Sequence, residues 1–149
     1  MEPKFQVQLK IRKPAAEVFD AVVNPKKLAG YFVAKATGPL EAGKTVKWSF
    51  PEPQFSTPFD VTCREVVKNE RIVFEWPSPE GSGGMNRVEM TFTPLDAGNT
   101  MVAISESGWS DTEKGYERAF GNNAGWMHMV MSLKGYLEYG INLREGGVM

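Results

Sequence analysis

Three side chains in this 149-residue sequence invite chemistry: the single histidine His128, the single cysteine Cys63 and the carboxylate of Glu106. A histidine works as a general base only with an orienting partner and a position facing the substrate. At ~100° per residue, the stretch GWMHMVMSLKGYLEYG (125–140) with Ile141 behind it gathers Trp126, Val130, Leu133, Leu137 and Ile141 into one stripe, with Met129 and Tyr136 at its border. His128 falls on the opposite side with Gly135, Glu138 and Asn142, which predicts an exposed, non-catalytic histidine. Met127 and Met131 lie on the flank, either as ordinary surface residues or as a homodimer contact. Cys63 shares an apolar strand face with Phe59 and Val61, where a cysteine behaves as an inert small hydrophobe. The predicted directions of Cys63 and His128 oppose a nucleophile–base pair. One His and one Cys on different elements also fall short of a zinc ligand set, so neither metal nor cofactor is expected.

Glu106 is more informative. If its strand keeps a period of two, Val102, Ile104 and Glu106 share the inner face. An inward carboxylate at a cavity edge is costly to desolvate and could hold a polar ligand group; the alternative is a structural acceptor for backbone amides or for Arg or Tyr groups where the strand leaves the sheet. Trp48, Phe74, Trp76, Met90, Phe92, Trp126 and Val130 are predicted to line the same inner surface, with Glu106 and Tyr136 as polar tips. These nine residues are the candidate ligand-binding cavity, core packing being the alternative for most of the apolar ones. No catalytic residue is nominated.

The elements that must position them follow from the hydrophobic period. Phe5, Val7, Leu9 and Ile11 alternate with polar residues as a strand. KPAAEVFDAVVNP reads as a helix with Pro14 in its first turn and Asn24-Pro25 as its stop; a second short helix spans Pro25 to Ala29. Five period-two runs then follow, around 46–50, 59–64, 72–76, 87–93 and 101–106, joined by the hairpin-type turns KNER and LDAGN and the loops PEPQFSTP and PSPEGSGG. DTEKGYERAFGNN reads as a connector, a short helix or a lid over the cavity mouth opposite PSPEGSGG. A sheet with one apolar face must be covered, and the C-terminal helix is the element long enough to do it.

Composition bounds the rest. With 42% hydrophobic and 23% charged residues, the chain is expected to form one globular domain over 1–149. A net charge of −1 with interspersed signs offers no basic stripe, which argues against nucleic acid. No apolar run reaches the ~18–20 residues of a spanning helix, and MEPKFQVQLKIRK lacks the apolar core of a signal peptide, so a cytoplasmic location is expected.

The runs KPAAEVFDAVVNPKKLAGYF, GKTVKWSF, EVVKNERIVFEW, RVEMTFTPLDAGNT, SESGW and GWMHMVMSLKGYLE, in that order over about 140 residues, resemble the family of activator-of-heat-shock-protein-90-ATPase homologues. That family belongs to the START-like, or birch-pollen-allergen-like, superfamily. The resemblance implies an α+β helix-grip fold: a curved antiparallel sheet wrapped around a long C-terminal helix, with two short helices after the first strand. It also implies a cavity for an apolar or amphipathic small molecule, which makes a non-catalytic binding protein the leading expectation. A chaperone-associated module with a role in stress response is the first alternative. The eukaryotic co-chaperone resembles this chain only in its C-terminal domain. A hydrolase or cyclase acting in the same cavity is the second alternative, and no convergent nucleophile–base pair supports it.

Overall fold

The computed structural model describes residues 3–148. Strand β1 (Phe5–Ile11) is followed by helices α1 (Ala15–Val23) and α2 (Pro25–Leu28), then β2 (Lys35–Ala36), β3 (Thr45–Ser49), β4 (Phe59–Val67), β5 (Arg71–Pro77), β6 (Met85–Asp96) and β7 (Asn99–Ser107), and finally helix α3 (Glu113–Tyr139). The seven strands form one antiparallel sheet in the order β1-β7-β6-β5-β4-β3-β2, with irregularities between Cys63 and Glu65 and between Pro94 and Asp96. This is the helix-grip arrangement expected from the resemblance.

The alternation along each strand decides which face is covered. Thr100, Val102, Ile104 and Glu106 of β7 are buried, and the residues between them are not. Ile72, Phe74, Trp76, Val88, Met90 and Phe92 continue the same inner layer on β5 and β6. From α3 come Trp126, Met129, Val130 and Leu133, and from α1 Phe19, whose ring meets Phe92 edge-on at 5.6 Å. Each such side chain contributes about 1.5–3 kcal/mol on burial. The ion pairs on the wet face, Lys47–Asp60 at 2.7 Å and Arg64–Glu75 at 2.5 Å, are largely exposed and contribute far less.

Helix ends are set by local chemistry. Asn24 Oδ1 accepts from the backbone N–H groups of Lys26 and Lys27 at 3.0 and 3.3 Å, capping α2 where Pro25 supplies the first position. Thr112 caps α3 by accepting from the Gly115 amide at 3.0 Å, with Glu113 in the first turn. Gly140, at φ 67°, ends it in the left-handed conformation that glycine adopts freely.

Two sequence expectations change here. The connector DTEKGYERAFGNN is mostly the first half of α3, because the Thr112 cap outweighs the helix-weakening Gly115, Gly121 and Asn122-Asn123. Ile141 lies beyond the helix and is 48% exposed rather than part of the buried stripe, because Gly140 turns the chain back. The tail then runs along α3: the Ile141 amide donates to the Gly135 carbonyl at 3.3 Å, and Leu143 packs on Gly135.

The end of α3 is tied to the end of β1. Glu138 accepts from the Arg12 amide at 3.0 Å, from Arg12 Nε at 2.5 Å and from Lys134 Nζ at 2.5 Å, while Lys134 also donates to the Lys10 carbonyl at 3.0 Å. Burial works against the Glu138 carboxylate, yet the bonds from Lys134 and Arg12 overcome it and hold its pKa down at about 2.

Candidate functional site

Eight of the nine expected cavity residues are buried, and Tyr136 is partly buried against Tyr31 at 5.3 Å between ring centroids. The structure brings them together in one layer between sheet and α3, most of it aromatic. Trp76 stacks on Trp126 at 5.2 Å with 24° between planes, and Trp48 lies edge-on to both Phe74 and Trp76 at 5.3 and 6.4 Å.

Glu106 anchors this layer. Its Oε2 accepts from Trp76 Nε1 at 3.0 Å and Asn86 Nδ2 at 2.9 Å; its Oε1 accepts from Asn122 Nδ2 at 3.0 Å and Trp126 Nε1 at 2.8 Å. Four N–H donors on four lone-pair positions saturate a carboxylate that is 1% exposed. The donors come from β5, β6 and α3, so one side chain fastens sheet to helix. Of the two sequence readings, this geometry matches the structural acceptor, although its donors are indoles and amides rather than backbone, Arg or Tyr groups.

An open cleft lies next to this layer. A cleft of about 510 Å³ is bounded by the segment after α2 (Ala29, Tyr31, Phe32, Val33), the loop after β3 (Pro51, Glu52, Pro53, Gln54) and the C-terminal tail (Asn142, Arg144, Glu145). None of the nine expected residues lines it. Phe32 links cleft and aromatic layer, meeting Trp48 at 6.0 Å, Phe50 at 5.1 Å and Trp126 at 5.8 Å. Arg144 lies over Phe32 and Phe50, with its guanidinium carbon 5.8 and 5.5 Å from the ring centroids, and donates through Nη2 to Glu52 Oε1. Their side chains are 11% and 7% exposed. This pairing uses one N–H and one oxygen; Arg144 Nε and Glu52 Oε2 have no hydrogen-bond partner among the described residues, nor does Trp48 Nε1 behind Phe32. An unpaired buried polar atom costs about 1–3 kcal/mol, and native structures keep few of them.

His128 is half-buried rather than exposed, with Nδ1 3.3 Å from Ser132 Oγ. The helical wheel has one partner, the sheet, and cannot register a tail that brings Arg144 to this side of α3. Burial and the charge of Arg144 push the imidazole pKa down, with Glu52 opposing them. Cys63 is buried, its Sγ 3.8 Å from the Glu65 carbonyl oxygen, and desolvation pushes its thiol pKa up. Among the described residues, no group of three or more His, Cys, Asp or Glu side chains could hold a metal, and no helix is long and apolar enough to cross a membrane.

Sequence reasoning missed Phe32, Glu52 and Arg144. The run Tyr31-Phe32-Val33, too apolar for an ordinary loop, was the available signal; the Glu52–Arg144 pair spans 92 positions and leaves no local pattern.

The fold recurs in solved structures. The protein SSP2350 from Staphylococcus saprophyticus shares 25% identity over 95% of this chain and 96% of its own, with a TM-score of 0.80. DynU16, from the dynemicin biosynthetic locus, shares 26% identity with a TM-score of 0.80, and this chain spans 49% of its length. The Aha1 dimer from Colwellia psychrerythraea, at 17% identity, covers 93% of this chain and 98% of its own with a TM-score of 0.75. None of the curated proteins matches this sequence. The family model described as Activator of Hsp90 ATPase homolog 1-like protein matches residues 12–138, and the chain belongs to that family.

Proposed function

We propose that this protein binds an apolar or amphipathic small molecule, which enters through the Phe32 cleft and reaches toward the aromatic layer between sheet and α3. The observation that carries this reading is the cleft of about 510 Å³ whose wall includes Phe32, Glu52 and Arg144, with Phe32 packed on Trp48 and Trp126 of the aromatic layer. A wall of apolar side chains with one charged pair suits a ligand with an apolar body and a few polar groups. Rotation of Phe32 would open a path over Trp48, Phe74, Trp76 and Trp126, with Met90, Phe92, Val130 and Tyr136 farther along the same layer. Glu106 holds this layer in shape rather than contacting the ligand.

Native mass spectrometry of gently purified protein, followed by uptake from a lipid and metabolite library, tests the reading. A retained or acquired adduct that is lost in Phe32→Trp, which fills the cleft, supports it. A clean unliganded mass with no uptake overturns it.

A second reading concerns partners. Phe120 and Met131 on α3 are 70% and 44% exposed, which supports a homodimer contact along that helix. Sedimentation of the wild type against Met131→Glu decides it: a dimer that the variant dissolves supports the contact, and a monomer across the concentration range refutes it.

A further inference from the structure

We propose that Phe32, Phe50 and Glu52 form a cation site whose resident occupant is the chain's own Arg144, and that the ligand taking its place is a cationic amphiphile, an alkyl ammonium head on an apolar body. This rests on the reading of the cleft as a ligand site and names the head group that site takes.

Two rings and a carboxylate surround the guanidinium. Phe32 and Phe50 meet at 5.1 Å with 71° between planes, so they stand as two walls of a corner. The guanidinium carbon of Arg144 lies over both, 5.8 and 5.5 Å from the ring centroids, within the ~6 Å over which a ring face attracts a cation. Glu52, with a side chain 7% exposed, pairs with Arg144 and supplies the countercharge. Aromatic faces recognise organic ammonium groups as they do a guanidinium, and a buried carboxylate beside them favours a cation further.

The occupant sits on a segment that can leave. Gly140, at φ 67°, ends α3, and the residues beyond it fold into turns of their own. The Arg144 amide donates to Asn142 Oδ1 at 2.9 Å, the Glu145 amide to the Asn142 carbonyl at 3.2 Å and the Gly147 amide to the Arg144 carbonyl at 2.9 Å. Of residues 141–147 only Arg144 is not exposed. A segment with so little buried surface opens at low free-energy cost, and these turns travel with it.

Charge decides what replaces it. With Arg144 gone, Glu52 is a buried carboxylate without a countercharge, a costly arrangement. A cationic head restores the pairing, a neutral head does not, and an anionic head adds a second negative charge. Glu145 on the same wall is exposed and adds to the negative potential. His128 feels both members of the pair; burial and Arg144 hold its imidazole pKa down, so it brings no competing positive charge at neutral pH. The apolar body of the ligand then follows Phe32 toward Trp48 and Trp126.

Three probes with one alkyl chain test this: decyltrimethylammonium, decanamide and decanoate, titrated by calorimetry at neutral pH into wild type, Arg144→Gln and the double variant Glu52→Gln with Arg144→Gln. Arg144 competes with the ammonium in the wild type, so Arg144→Gln should bind decyltrimethylammonium about tenfold or more tightly, a gain of about 1.4 kcal/mol, and rank it first. The double variant should abolish that gain, while decanamide changes little across the three proteins. Far-UV circular dichroism confirms that each variant is folded. The wild type gives a second readout: saturating decyltrimethylammonium should expel Arg144 and expose its Nε–H to rapid solvent exchange, whereas decanamide leaves that resonance visible. No gain in folded Arg144→Gln, a gain kept in the folded double variant, or a wild-type Arg144 Nε–H that stays protected at millimolar ammonium overturns the cation site; binding of decanamide in the same proteins leaves the cleft reading standing. Binding of none of the three probes overturns both.

Discussion

Replacing Glu106 should reveal how much of the fold depends on one carboxylate. In Glu106→Gln one oxygen becomes an amide N–H₂ group facing two donors. Placed at the Oε1 position, the amide opposes Asn122 Nδ2 and Trp126 Nε1; placed at Oε2, it opposes Trp76 Nε1 and Asn86 Nδ2. The second placement costs less, because Asn86 Oδ1 has no partner and rotation of that amide presents an acceptor. One stranded indole N–H then remains, at about 1–3 kcal/mol, and the surviving bonds lose their charge assistance. Relief from burying a charge offsets part of this, so the expected loss is about 2 kcal/mol. Glu106→Leu strands all four donors and should cost about 4 kcal/mol or more, a large share of the 5–15 kcal/mol that holds a domain together. Urea unfolding followed by tryptophan fluorescence gives both values. The Trp76 and Trp126 indole N–H resonances report the same bonds directly. Unchanged stability in Glu106→Gln, with both indole resonances unmoved, would refute the assignment of Glu106 as the fastening between sheet and helix.

Other expectations follow from single residues. A Cβ at Gly115 would sit 2.0 Å from the Ser110 carbonyl oxygen, so Gly115→Ala should lose about 3 kcal/mol in denaturant unfolding. Gly121 and Gly125 have open space at the same position, and alanine at either should raise stability by about 0.5–1 kcal/mol through helix propensity; a loss there would count against the solvent-facing assignment. Asn24→Ala removes the acceptor for two amides at the start of α2 and should cost about 1 kcal/mol. Glu138 has a folded pKa of about 2, below the ~4.3 of an unfolded glutamate, so its contribution is full above that value and is lost as pH falls through about 2. The stability gap between wild type and Glu138→Gln should therefore be present at neutral pH and close near pH 2; a gap independent of pH would refute the ionic account.

Much of the fold was legible because burial on one side of a sheet forces a period of two. Val102, Ile104 and Glu106 could be placed on the inner face from spacing alone, and so could Ile72, Phe74 and Trp76. The long reach of α3 was not legible, since Gly115, Gly121 and Asn122 weaken a helix locally while Thr112 and the packing of Trp126 and Val130 decide the outcome. The cleft was hidden for a different reason. Its walls come from segments with no period, and the tail reaches Glu52 only after Gly140 reverses the chain. The carboxylate that the sequence singled out is saturated by its neighbours, while Glu52 and Arg144 of the cleft are residues that no local pattern marks.

The most direct test of the account is an amide and side-chain NMR titration of the nitrogen-labelled protein with decanamide. The account predicts saturable shifts at the Arg144 Nε–H, at the Phe32 and Val33 amides and at the Trp48 indole N–H, with the Trp76 and Trp126 indoles shifting as the ligand reaches the aromatic layer. Saturable shifts confined to residues outside the cleft, or no shift at millimolar ligand, would contradict it.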